Sequence, residues 1–227
     1  MDFYEGEILL INKPKEWTSF DVVNKVRNVI RRKFEKKLKV GHAGTLDPLA
    51  SGLLIICTGR KTKQISEFSG LDKEYIAKIV FGATRPSFDK ETEIDKHFDN
   101  QHITVDKLEK GLSSFMGVQE QTPPVFSAKK INGQKAYINA RKGKEVQMRT
   151  VNVEFKKIDL LEHNLPENAT IKLLVSKGTY IRSFADDLGK RLNSGAYLDE
   201  LIRTKIGSFS LEDAITPEQF EDMVNQL

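Results

Sequence analysis

In the stretch VGHAGTLDPLASGLL, residues 40–54, a histidine, His42, lies five residues before a carboxylate, Asp47, and Pro48 follows that carboxylate. Pro48 disfavours the helical region at Asp47 and removes one backbone donor. Gly41, Gly44 and Gly52 allow close backbone approach, and the apolar run LLII after them anchors the stretch in a core. A turn or cap accounts for these features locally. A carboxylate presented for nucleophilic or proton-transfer work accounts for them too. That chemistry needs a charged oxygen held in place, most effectively by a bidentate arginine. One is available in SKGTYIRS, where Arg182 sits at a strand-to-helix junction beside Tyr180. Tyr75, in KEYIAKIVFG, lies on the apolar face of a strand and is the candidate aromatic; core packing is its plainer reading.

Other chemistries lack their signatures. His42, His97, His102 and His163 are scattered, with neither HxxxH nor CxxC spacing, so no metal site is expected. No P-loop or GxGxxG follows a strand, and no serine occupies a GxSxG elbow, so no cofactor or serine triad is indicated. The single cysteine, Cys57, lies in the apolar run GLLIICTG and reads as core filling. It excludes an internal disulfide and fits a reducing compartment. The first five residues carry two acids and no basic region, unlike a signal peptide, and no apolar run reaches the ~18–20 residues of a membrane span. A cytoplasmic location is expected.

Net charge is only +4, but it is unevenly spread. Residues 24–40 hold eight Lys/Arg and one Glu, and residues 127–150 hold seven and one. The rest of the chain therefore sums to −9, and LEDAITPEQFEDMVNQL (residues 211–227) has five acids and no base. Two basic zones on an otherwise acidic chain suggest a polyanionic partner, although solvated helix faces would look the same.

The elements that must position these residues follow from periodicity. GEILLINKP reads as a buried strand ended by Pro14. Thr18 or Ser19 caps a helix with Val22, Val23, Val26, Val29 and Ile30 on one stripe and Arg27, Arg31, Arg32 and Lys33 largely off it. GLLIICTG and EYIAKIVFG read as strands, the second with Tyr75, Ala77, Ile79 and Phe81 on one face. TVDKLEKGLSSF reads as a helix, QTPPVF as extended chain, and KAYINARKG as a short helix. TVNVEFKKI and ATIKLLVSKGTYI alternate as strands, and RSFADDLGKRL is a helix through Phe184, Ala185, Leu188 and Leu192. TPEQFEDMVNQL closes the chain with Thr216 as cap, Pro217 in the first turn and Gln219 in a capping box. The expectation is one α/β domain over residues 1–227, its sheet mixed or largely antiparallel and flanked by helices.

Across nearly the whole chain the sequence resembles the bacterial TruB-type tRNA pseudouridine-55 synthases. The match runs through INKPKEWTSFDVV, KVGHAGTLDPLASGLLIICTGRKTK, KEYIAKIVFG, QTPPVFSAKKINGQKAYINARKG and SKGTYIRSFADDLGKRLNSGAYLDELIRTKIGSFSLEDA, in family order. The resemblance implies a pseudouridine-synthase fold and isomerisation of uridine 55 in the T-loop of tRNA by base flipping, without cofactor or metal. It implies that Asp47 is the catalytic aspartate, Tyr75 the active-site tyrosine and Arg182 the arginine that pairs with Asp47. His42 resembles the histidine that holds or replaces the flipped base, and Leu201 the apolar wall of the uracil pocket. Tyr180 is placed with the substrate-binding residues. Lys13, with Pro14, matches the N-terminal motif, and Lys63 a basic tRNA contact. Asp89 aligns with an aspartate that contacts the target loop, although TRPSFDKET departs from the usual surroundings. Glu16 replaces a common glycine and Phe126 a common tyrosine. Arg31, Arg32 and Lys33 are the candidate phosphate contacts. Many members continue into an RNA-binding PUA domain; none is expected here, nor a guide RNA or membrane partner, and the protein is expected to be a monomer. The alternative is a tRNA-folding or binding protein in which catalysis is secondary.

Overall fold

The computed structural model describes residues 1–127, 130–131, 134–135 and 148–227. Nearly all of the helix expected over KAYINARKG and most of the second basic zone lie outside the described residues. The main elements are β1 (Ile8–Lys13), α1 (Ser19–Phe34), β2 (Val40–Ala43), β3 (Ser51–Thr58), α2 (Ile65–Gly70) and β4 (Lys73–Phe81). They continue with α3 (Val105–Ser113), β5 (Gly117–Gln121), β6 (Val151–Asn164), β7 (Asn168–Val175), α4 (Ile181–Arg191), β8 (Ala196–Ile206) and α5 (Pro217–Asn225). The sheet is mixed and mostly antiparallel, as the periodicity predicts. The chain gathers into two compact units, Met1–Ile76 with Leu201–Leu227, and Ala77–Glu200.

In the first unit β3 pairs antiparallel with β1 and β2 and parallel with β8. Its side chains alternate between two apolar layers, which is why its sequence is continuously hydrophobic rather than alternating. Leu54 and Ile56 face a cluster with Val22, Val26 and Ile30 of α1 and Phe220 and Val224 of α5. Leu53, Ile55 and Cys57 face Ala43 and Ile206, with Ile65 and Phe68 of α2 packed against them. Each fully buried Leu or Ile contributes roughly 1.5–3 kcal/mol. Burial pushes the Cys57 thiol up to about 11, as befits a core residue and not a nucleophile. The capping boxes stand as expected: Thr18 with Asp21 on α1, and Thr216 with Gln219 on α5.

In the second unit β6 pairs antiparallel with both β5 and β7. Phe115, Phe155 and Phe184 meet with ring centroids 4.8–5.7 Å apart, fixing α4 against β6. The strand expected through SKGTYI ends earlier, at Val175. Gly178 (φ +82°) turns the chain there, and Tyr180 becomes the residue before the first helical residue of α4. Periodicity assigns no element to Ala196–Ile206, yet it forms β8. The buried Arg203 interrupts its apolar pattern, so neither strand nor helix spacing stands out.

Candidate active site

The segment between β2 and β3 carries Asp47, and four of its backbone carbonyls are engaged. Gly44 O accepts from Arg203 Nη2 at 3.0 Å, and Leu46 O accepts from Ser19 Oγ at 3.1 Å. Asp47 O accepts from Ala50 N at 3.1 Å, and Pro48 O accepts from Glu16 N at 2.8 Å and Lys13 Nζ at 3.4 Å. Ser19 Oγ also accepts from Leu46 N at 2.8 Å. β1, the first turn of α1 and β8 thus all hold this loop, and its half-buried carboxylate rides on a fixed backbone. Two glycines are required. Gly44 has φ +94°, and a Cβ on Gly52 (φ +107°) would stand 2.4 Å from Arg203 O across the parallel β3–β8 contact.

Lys13, His42 and Arg203 are charged or titratable side chains beside the loop within the first unit. Lys13 has no exposed surface; its ammonium also donates to Pro14 O (2.9 Å) and Trp17 O (2.6 Å). Desolvation pushes it down to about 8, with the Asp47 charge opposing and Arg203 adding to the fall. Lys13 therefore braces the loop from within and presents no charge to solvent. His42, on β2 opposite Ile56, is half-buried. Burial first, and the Arg203 guanidinium second, hold its imidazole below the ordinary histidine range. Its Nδ1 is buried without a hydrogen bond of acceptable geometry among the described residues. The Gly44 backbone offsets only part of the shift. Arg203 is 1% exposed, and its Nε donates to Leu53 O at 2.8 Å. No sequence signal marked Arg203; a basic residue inside an apolar strand segment was the available one. Tyr75 lies on the buried face of β4, 8% exposed, and Leu201 is half-buried on β8.

Arg182, Asp89 and Tyr180 belong to the second unit. Arg182, in the first turn of α4, is 4% exposed. Its Nη1 lies 3.5 Å from Asp89 Oδ2 and donates to Ser87 O at 3.3 Å. The Asp89 carboxylate is buried too and accepts from Glu91 N at 3.0 Å. Asp89 is thus placed against Arg182, a pairing the sequence did not suggest. Gln121 fixes the entry to α4: its Oε1 accepts from Tyr180 N at 2.8 Å and its Nε2 donates to Tyr180 O at 3.0 Å. A guanidinium held this way is an anion-binding group whose aim is set by its own unit.

The candidate phosphate contacts are divided. Arg31, Arg32, Lys33 and Lys63 are exposed, but Arg32 and Lys25 both bind Glu221 of α5, and Lys33 donates to Asn225 O at 3.0 Å. Among the described residues no group of three or more His, Cys, Asp or Glu gathers to hold a metal ion. No helix among them is long and apolar enough to cross a membrane.

Comparison with known proteins matches two adjoining family models over residues 31–226. The N-terminal domain of the TruB family pseudouridylate synthases covers residues 31–181, and the tRNA pseudouridylate synthase B C-terminal domain covers residues 182–226. The tRNA pseudouridine synthase B of Phocaeicola vulgatus is 53% identical over 100% of this chain and 96% of its own. That of Parabacteroides distasonis is 52% identical with the same coverage. Among solved structures, a chain of a Cbf5–Nop10–Gar1 complex matches with TM-score 0.72 and 26% identity over 97% of this chain; this chain spans 54% of that one. With a braced Asp47 loop, a clamped Arg182 and these matches, the chain belongs to the TruB family of pseudouridylate synthases.

Proposed function

We propose that this protein isomerises uridine to pseudouridine in tRNA, at position 55 in the T-loop. The observation that carries the reading is the Asp47 loop, braced from three elements, in a chain half identical to named tRNA pseudouridine synthases over its full length. The N1–C1′ bond of the uridine breaks, the base turns, and C5 bonds to C1′. The C5 proton then leaves and N1 gains one, so the reaction balances without a co-reactant. Asp47 supplies the oxygen nucleophile, and Arg182 pairs with it, the pairing resting on the family correspondence. Tyr75 offers a stacking face and relays the C5 proton. His42 fills the place the extruded base leaves, Leu201 walls the pocket, and Tyr180 contacts substrate. Extrusion costs roughly a few kcal/mol, regained from pocket and backbone contacts.

In this reading both compact units act as one catalytic domain, and the protein works as a cytoplasmic monomer on the T-arm without guide RNA. The test is to incubate the protein with an unmodified tRNA transcript and map pseudouridine. Modification at U55 is expected, and Asp47→Asn should lower the single-turnover rate by about 10³-fold or more. Wild-type turnover in Asp47→Asn removes the nucleophile assignment. Tight binding without any pseudouridine points to the RNA-folding alternative.

A further inference from the structure

Arg203 is buried where an aliphatic side chain would pack without cost, and a buried guanidinium persists only if its donors are used. Its Nε reaches Leu53 O and its Nη2 reaches Gly44 O, one on each side of the segment that holds Asp47. The planar fork therefore bridges the entry and exit of the loop. The Arg203 backbone is pressed onto Gly52 at the same level, so the residue grips the loop through side chain and main chain together.

We propose that Arg203 is a positioning residue for the reaction, a buried cation that fixes both ends of the loop presenting Asp47. The inference rests on the reading of Asp47 as the reacting carboxylate. The charged groups around the loop are Arg203 from β8, Lys73 from β4, Lys13 from β1 and Asp47 itself; Asp21 of α1 acts on Lys13, and α2 contributes the apolar Ile65 against Gly41. Tyr75 of β4 is the remaining titratable group of the site. Burial is the larger cause holding the His42 imidazole below the ordinary histidine range, and the Arg203 guanidinium adds to it. A lysine at 203 would keep the charge but lose the fork, and one ammonium on a flexible stem does not reproduce the two directed bonds.

The experiment follows the His42 ring by NMR through a pH titration, assigned with His42→Gln, beside single-turnover pseudouridine formation. Arg203→Lys should leave the His42 midpoint at its wild-type value and the transcript affinity unchanged while the rate falls about 10- to 100-fold, the cost of a loop displaced by a fraction of an ångström. Arg203→Gln should raise the His42 midpoint as well as slow turnover. An unmoved His42 midpoint in folded Arg203→Gln overturns the proposal, as does wild-type turnover in Arg203→Lys. If Arg203→Gln does not fold, the Arg203→Lys rate decides. A wild-type protein that makes no pseudouridine refutes the functional reading instead, and the NMR arm then decides whether the Arg203 guanidinium sits against the loop.

Discussion

Lys13 has no surface in contact with solvent, and the hydrogen bonds of its ammonium go to three carbonyl oxygens, two on its own stretch and one on the Asp47 loop. Its value of about 8, against an ordinary 10.5, corresponds to on the order of 3 kcal/mol by which its surroundings, burial foremost, disfavour its charged form. The sign of the consequence differs for function and for stability. Below about 8 the ammonium is charged, bonds Pro48 O and faces Asp47; above it that brace weakens. The pH–rate profile should therefore fall with an apparent midpoint near 8, and Lys13→Arg, which cannot deprotonate in this range, should abolish the fall. Stability moves the other way. Between about 8 and 10.5 the unfolded chain keeps a proton the folded chain has lost, so this residue's contribution to stability rises with pH there. Urea midpoints of wild type relative to Lys13→Met test it, and a relative decline across that window refutes it. The resemblance marked Lys13 as notable, but its burial was illegible, because a lysine between a strand and Pro14 reads as an exposed end.

The Asp47 loop depends on an element that never touches the reacting base in the proposed mechanism. Ser19 opens α1 and is 2% exposed; its hydroxyl donates to Leu46 O and accepts from Leu46 N. Ser19→Ala leaves both buried groups unpaired, a loss of about 1–3 kcal/mol by urea unfolding. The same variant should slow single turnover with little change in binding, because the loop loses its pin one residue before Asp47. Equal unfolding midpoints for the two proteins would show that water replaces the hydroxyl. At this scale α1 and β3 were readable from sequence, since a 3.6-residue stripe and an apolar run bounded by glycines report burial directly. β8 was not, because Arg203 takes a core position and its partners, Gly44 and Leu53, are more than 140 residues away. The Asp89–Arg182 contact was hidden for the same reason: loop and helix meet across 93 residues of sequence.

The distribution of charge over the first unit decides where a polyanion will bind. The acidic C-terminal stretch lies against the first basic zone, for Glu221 of α5 takes both Lys25 and Arg32, and Asn225 O takes Lys33. These three cations already have oxygen partners, so neutralising Arg32 alone should change RNA affinity little. Lys36, Lys37 and Lys39 follow α1 as exposed cations. The bond from Gly59 N to Lys39 O, at 3.0 Å, brings them beside Arg60, Lys61 and Lys63. Of these, Arg60 carries a counter-charge in Glu5, in an exposed pair at 2.9 Å that salt screens readily. A phosphate backbone should therefore release its counterions here more than on the α1 face. Changing Lys36, Lys37 and Lys39 to Gln should flatten the dependence of log K on log salt by about 2–3 for roughly three lost phosphate contacts, at ~0.7 per contact on single strands and ~0.9 on duplex. Glu221→Gln should act in the opposite sense, freeing Lys25 and Arg32, steepening the slope by about 1–2 and tightening binding at low salt. A steeper slope with Glu221→Gln, together with a flatter one for the triple variant, identifies α5 as an internal competitor for RNA on α1. An unchanged slope in both places the electrostatic contact elsewhere on the molecule.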